Sequence, residues 1–126
     1  MPSPTREDLI PAAKRFNRWQ FPEARNFFKE LSSSADGSDQ EFLEAVSDVA
    51  EGFSKIWHKG GEPHAMVSSL SKGTKSLEKF TPRYLEIELT EFTKHLNTCL
   101  EEAKRWRRGD VEIFDRDLIP RLEFAD

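Results

Sequence analysis

The sequence predicts an all-α fold, an antiparallel helical bundle of about five main helices with a short C-terminal extension. Three observations carry this. Apolar residues recur at helical spacing through most of the 126 residues. Proline and glycine punctuate that pattern where helices should start or stop, at Pro22, Gly60-Gly61, Pro63, Pro82 and Gly109. No segment alternates apolar and polar residues well enough to predict a strand.

The first helix places Leu9, Ile10, Ala13 and Phe16 on one face. Pro11 has no backbone N–H and belongs in a first turn, so the cap is expected near Asp8 and residues 1–8 are expected to be flexible. The second helix starts at about Phe21, with Pro22 suited to a first helical position, and ends near Leu31 before a Ser- and Gly-containing loop. Ser38-Asp39-Gln40-Glu41 reads as a capping box opening the third helix. Its seam is Phe42, Val46, Val49, Phe53 and Ile56, widened by Ala45, Ala50 and Trp57. His58-Lys59-Gly60-Gly61 then ends it, with cations at the negative end of the dipole.

Pro63 opens the fourth helix, which carries Met66, Leu70, Gly73, Leu77 and Phe80 before Thr81-Pro82 stops it. The fifth carries Leu85, Leu89, Phe92, Leu96, Cys99, Ala103 and Trp106 and stops at Gly109. Gly52 and Gly73 sit inside helical patterns at a cost of roughly 1 kcal/mol each against alanine, which predicts close approach of the third and fourth helices. Phe114, Leu118, Ile119, Leu122 and Phe124 are too apolar for a solvated tail, so residues 110–126 are expected to dock on the single domain formed by residues 1–126.

Composition narrows the function classes. The chain has 19 basic and 23 acidic residues and a net charge of −4, which argues against nucleic-acid binding by global charge. No run approaches the about 18 apolar residues of a membrane span, and the N-terminal residues do not read as a secretory signal. Cys99 is the only cysteine, which fits a reducing compartment, and a cytoplasmic location is expected.

The segment Phe16-Asn17-Arg18-Trp19-Gln20-Phe21-Pro22-Glu23-Ala24-Arg25-Asn26 resembles the Phe-Asn-x-Gly-x-aromatic-aromatic-Glu-Ala-His-Glu signature of a small helical family, the domain of unknown function numbered 309. Phe16, Asn17, Phe21, Glu23 and Ala24 match it, as do Phe42 and Leu43, the turn Lys59-Gly60-Gly61, and Ala65 and Leu70, over about residues 12 to 80. The resemblance implies a helical bundle and no reaction. The family's glycine is Trp19 here, its His-Glu pair is Arg25-Asn26, and two helix-three glutamines are Glu44 and Asp48. Any chemistry that the His-Glu pair supports is therefore not expected in this chain.

Those departures single out Glu23, Arg25, Glu44 and Asp48. They form either a polar binding group between the second and third helices or an ion pair of Arg25 with Glu44 or Asp48 that fixes helix register. No catalytic residue is identified, since there is no nucleophile motif and no phosphate-cradling loop. The three histidines, His58, His64 and His95, have no metal-ligand spacing, so no metal and no cofactor are expected. Cys99 reads as a core residue. Lys104-Arg105-Trp106-Arg107-Arg108 could stack and pair with single-stranded nucleic acid, but it also suits a helix C-terminus with Trp106 turned inward.

The reading placed first is a non-enzymatic protein-interaction or scaffold module, its partner a second protein or another copy of itself. The alternatives are a small-molecule- or metal-dependent enzyme using the polar group around Arg25 and Glu44, and a weak single-strand binder through Lys104–Arg108. A concave pocket with convergent polar groups would favour the enzyme; a filled core with Arg25 paired would favour the interaction module.

Overall fold

The computed structural model describes residues 3–126. It is an all-α bundle of five helices: α1 (Arg6–Asn17), α2 (Phe21–Ser33), α3 (Gly37–Ser54), α4 (Pro63–Glu78) and α5 (Thr90–Arg108). A short antiparallel hairpin, β1 (Arg83–Tyr84) with β2 (Ile87–Glu88), links α4 to α5. The central packing runs α2 on α3 on α4, with α1 against α2 and α5 against α4, and Phe16 of α1 also meets Phe92 of α5 at 5.8 Å.

The apolar seams land where their spacing puts them. Phe42, Val49, Phe53, Leu70, Leu77, Leu89, Phe92 and Leu96 are all buried in one core. Phe16, Phe21 and Phe53 meet as tilted and edge-on rings 5.1 to 6.0 Å apart, a geometry that suits the ring quadrupoles. A Cβ on Gly73 would lie 2.7 Å from the Ala45 carbonyl oxygen, and one on Gly52 would lie 3.1 Å from the Leu70 amide nitrogen. The two glycines thus let α3 and α4 approach until backbone meets backbone.

Several helix boundaries differ from expectation. The cap of α1 is Thr5, whose hydroxyl accepts the Asp8 N–H while the Asp8 carboxylate accepts the Thr5 N–H. That reciprocal box starts the helix at Arg6, so Arg6–Asp8 are helical; Met1 and Pro2 lie outside the described residues. Pro11 falls in the second turn, on an exposed face. The missing hydrogen bond there opens toward solvent, which lowers its cost. α3 starts at Gly37 after Asp36, so Ser38 to Glu41 already lie in its first turns and form no capping box. Asp39 is used across the fold instead, accepting from the Tyr84 hydroxyl at 2.5 Å and from the Ser3 hydroxyl. Burial and the Asp39 carboxylate push the Tyr84 hydroxyl up to about 12, while the donated hydrogen bonds hold Asp39 below its usual range.

The hairpin corrects the expectation of no strand. Leu85 does not belong to α5; with Glu86 it forms the two-residue turn, and both have positive φ (47° and 65°). The C-terminal segment docks. Phe114 and Leu122 are buried, and Phe124 bridges antiparallel to Ile87. The Glu88 N–H donates to the Glu123 carbonyl at 2.9 Å and the Ala125 N–H to the Glu86 carbonyl at 2.7 Å. Asn17 holds the same segment from the other side. Its carboxamide oxygen accepts the Leu122 N–H at 2.7 Å, and its NH2 donates to the Leu122 carbonyl at 3.0 Å.

Candidate functional site

The end of α1 sets the site. The Trp19 N–H donates to the Phe16 carbonyl and the Gln20 N–H to the Arg15 carbonyl, at 3.0 and 2.9 Å. These are the two hydrogen bonds of a Schellman motif, which turns the chain by placing one residue at positive φ. That residue is Trp19, at φ 63°. Glycine takes this conformation without strain, whereas an L side chain pays roughly 1 kcal/mol or more.

Trp19 lies against Trp57, ring centroids 5.9 Å apart, and Trp57 stacks on the buried Phe21 at 6.0 Å. Trp57 does not continue the α3 seam, because α3 stops at Ser54 and the chain turns before it. Both indoles stay bare, Trp19 41% and Trp57 43% exposed. With Ile113 they are the large apolar residues left exposed among those described. Their adjacency could not be read from a sequence in which they lie 38 positions apart (57 minus 19).

Two shallow clefts run from this ledge along the α2–α3 seam. The first, about 390 Å³, is bounded by Pro22, Arg25, Glu51, Ser54, Lys55, Trp57 and His58. The second, also about 390 Å³, is bounded by Arg25, Asn26, Lys29, Ser47, Asp48 and Glu51. Arg25 and Glu51 form the wall between them.

The expected partners of Arg25 were Glu44 or Asp48; the observed partner is Glu51, with Nη1 to Oε2 at 2.8 Å. Glu51 also takes Lys55, Nζ to Oε1 at 3.1 Å. One carboxylate therefore serves two cations. Burial pushes the Glu51 carboxyl up, but the hydrogen bond from Lys55 and the charge of Arg25 outweigh it and hold it below the ordinary range. Asp48, a turn earlier, faces Lys72 at 3.8 Å. Burial raises its pKa, opposed by Lys72 and Lys29. Glu23 and Glu44 are exposed and line neither cleft. The structure thus brings Arg25 and Asp48 to one cleft, leaves Glu23 and Glu44 outside it, and adds Ser47 and Glu51 there, with Lys55 in the neighbouring cleft. The Ser47 hydroxyl donates to the Arg25 carbonyl at 3.2 Å, which ties α3 to α2.

His58 Nδ1 pairs with Glu62 at 2.9 Å, and His64 and His95 are exposed. Among the described residues, no group of three or more His, Cys, Asp or Glu side chains could hold a metal ion. Cys99 is buried, and burial with the nearby Glu102 and Asp115 carboxylates pushes its thiol up to about 12. It stays protonated and donates to the Leu118 carbonyl at 3.2 Å, as a structural thiol does.

The basic run is largely paired with acids. Lys104 meets Glu101 at 3.3 Å, Arg105 meets Glu102 at 3.0 Å, and Arg108 meets Asp110 at 3.1 Å. Trp106 packs over Gly61, where a Cβ would lie 2.6 Å from its ring, so its indole face is not free for a base. No helix among the described residues is long and apolar enough to cross a membrane. No protein-family model, curated protein or solved structure matches the chain.

Proposed function

We propose that this protein is a non-enzymatic interaction module that docks a partner protein on the Trp19–Trp57 ledge. The carrying observation is that pair of half-exposed indoles, one of them held in a left-handed backbone conformation. Strain of that kind persists where something other than folding benefits from it. Trp and Arg dominate the binding energy of protein interfaces, and both stand here side by side. A cytoplasmic location is part of this proposal, and the lone cysteine, Cys99, supports it because it suits a reducing compartment.

We also propose membership of the family of unknown function that the Phe-Asn segment resembles. In its support, the pattern's glycine falls on Trp19, the position whose φ of 63° glycine would adopt freely. The pattern's asparagine falls on Asn17, which clamps the C-terminal segment.

The small-molecule enzyme reading has one observation in its favour, the convergence of Arg25, Lys29, Ser47, Asp48 and Glu51 on a cleft. Against it, Arg25 and Ser47 are committed to contacts between the helices, and among the described residues lining the cleft no nucleophile is hydrogen-bonded to a base.

The test is affinity capture from the native cell with the wild-type chain and a Trp19→Ser/Trp57→Ser double variant, both checked for helical circular dichroism. Proteins retained by the wild type and lost by the folded double variant support the reading. An identical set from both, or none from the wild type, overturns it.

A further inference from the structure

The C-terminal strap, residues 114–126, lies in its groove as an added strand. Asn17 takes the N–H and the carbonyl of Leu122 at 2.7 and 3.0 Å, and Arg6 donates to the Ala125 carbonyl. The Glu88 N–H donates to the Glu123 carbonyl at 2.9 Å, and the Glu86 carbonyl accepts the Ala125 N–H at 2.7 Å. All of these contacts are to the main chain of the strap. Phe114, Leu122 and Ala125 anchor it as buried side chains. This is strand addition to a sheet edge, in which backbone hydrogen bonds hold and side-chain pockets select. None of it requires strap and groove to belong to one chain. The same segment of a second copy meets the same groups.

The connection to the strap is loosely built. Gly109 ends α5 at φ 82°, with open space where a Cβ would stand. Among the described residues, no backbone hydrogen bond fixes residues 111–114. Ile113 stands there 58% exposed, more than either Trp19 or Trp57. It belongs to neither the core cluster nor the stacked indoles.

A second copy gives Ile113 a place. In a two-fold exchange the two connections pass each other in opposite directions, and a surface on the axis faces itself. Ile113 of one copy then covers Ile113 of the other. The flanking charges are self-complementary in the same sense. Arg107 and Arg108 precede Gly109, and Asp110 and Glu112 follow it. Antiparallel passage sets the acids of one connection against the arginines of the other. Residues 110–113 span at most about 14 Å when extended, so the copies meet at the C-terminal ends of α5, where these residues lie.

We propose that the strap exchanges between copies, giving a symmetric dimer in which each groove holds the strap of the other chain. The structure is the closed form, residues 110–113 are the hinge, and Ile113 is covered only after exchange. A strap on a short flexible tether has an effective concentration in the millimolar range. The closed form therefore dominates in dilute protein, and the exchanged form gains as the chain is concentrated. The Trp19–Trp57 ledge takes no part, so the inference stands apart from the interaction reading.

The test mixes two full-length chains, Asn17→Ala with a damaged groove and Leu122→Ser with a damaged strap. The mixture is warmed to the unfolding midpoint, cooled, and weighed by native mass spectrometry. Only the mixed dimer contains one intact groove with one intact strap. The expected result is mixed dimer in several-fold excess over either homodimer, reduced several-fold when both chains also carry Ile113→Ser. No dimer of any kind would overturn the exchange. So would mixed and homodimers in statistical proportion, or dimers lost with Trp19→Ser/Trp57→Ser and kept with Ile113→Ser, since each of these places the contact on another surface. If either variant fails to fold, nitrogen-15-labelled and unlabelled wild type are treated alike at millimolar concentration. Hybrid dimers that Ile113→Ser removes then support the exchange, and their absence overturns it.

Discussion

The groove beside Asn17 is filled by the chain's own C-terminal segment, whereas the ledge at Trp19, two residues further along, is left open. The groove is closed by contacts to backbone. Asn17 takes both polar groups of Leu122, Glu88 of β2 takes Glu123, the turn residue Glu86 takes Ala125, and the Arg6 guanidinium donates to the Ala125 carbonyl and lies 5.2 Å over the Phe124 ring. Phe114 and Leu122 then vanish into the core. At the ledge, the two half-exposed indoles stack on each other and Trp57 on Phe21, with Trp19 on a backbone conformation that favours glycine. One apolar surface has been matched by a segment of the same chain, and the other has been built at some expense and left uncovered. The first serves stability and the second is free to serve recognition, so substitutions should separate the two.

The largest expected effect lies at the covered groove. Phe114 is buried against Phe53, ring centroids 6.4 Å apart, and Phe114→Ala should cost about 3–5 kcal/mol in urea denaturation. Removing residues 111–126 should expose the same surface and cause aggregation in light scattering. If both proteins stay as stable as the wild type, the groove needs no cover and the comparison collapses. Asn17→Ala comes next. It leaves the N–H and carbonyl of Leu122 without their partner, at about 1–3 kcal/mol. Partner binding at the ledge should be unchanged in that variant.

The α2–α3 cleft should show smaller effects of opposite sign. The folded state holds Glu51 below its ordinary pKa. It therefore binds that proton less tightly than the unfolded chain, and stability from Glu51 is present above the unfolded value and lost as pH falls through the folded one. Asp48 is raised, chiefly by burial. Its folded state binds the proton more tightly, so ionised Asp48 lowers stability at neutral pH and the penalty disappears on acidification. Glu51→Gln should flatten the acid loss of stability, and Asp48→Asn should hold or raise stability at pH 7, both read from denaturation curves across pH. A destabilising Asp48→Asn would show that the carboxylate is held by its lysines more than it is penalised by burial. The Arg25–Glu51 pair is part-exposed, and a double-mutant cycle should give a coupling below about 1 kcal/mol.

The core was legible because its signal is periodic. Phe42, Val49 and Phe53 repeat along α3 at helical spacing, and Gly52 and Gly73, glycines inside helical patterns, mark the close crossing with α4. The docking of the C-terminal segment was also legible from the apolarity of Phe114 to Phe124. The hairpin was not. Its two central residues, Leu85 and Glu86, sit at positive φ with none of the Asn or Gly that announces such a turn. At the cleft, Arg25 does pair with a carboxylate of α3, but that carboxylate is Glu51 and neither Glu44 nor Asp48. Which turn of α3 faces Arg25 depends on how far the α2–α3 loop displaces one helix along the other, and no periodicity encodes that shift. Trp57 was misplaced because helical spacing continues on paper past Ser54, where the backbone has already turned. The Trp19–Trp57 ledge, on which the proposed function rests, is a contact across the fold with no local signature except a tryptophan standing where the resembled pattern has glycine.

That tryptophan allows the most direct test of the central claim, that Trp19 is kept for a partner and not for the fold. The measurement is the unfolding free energy of Trp19→Gly against wild type. Relief of the left-handed strain, roughly 1 kcal/mol or more, should offset the half-buried indole that is lost and the added freedom of the unfolded chain. The expected result is a change of less than about 1 kcal/mol in either direction. A larger loss would contradict the claim, because Trp19 would then be a structural residue whose exposure is incidental.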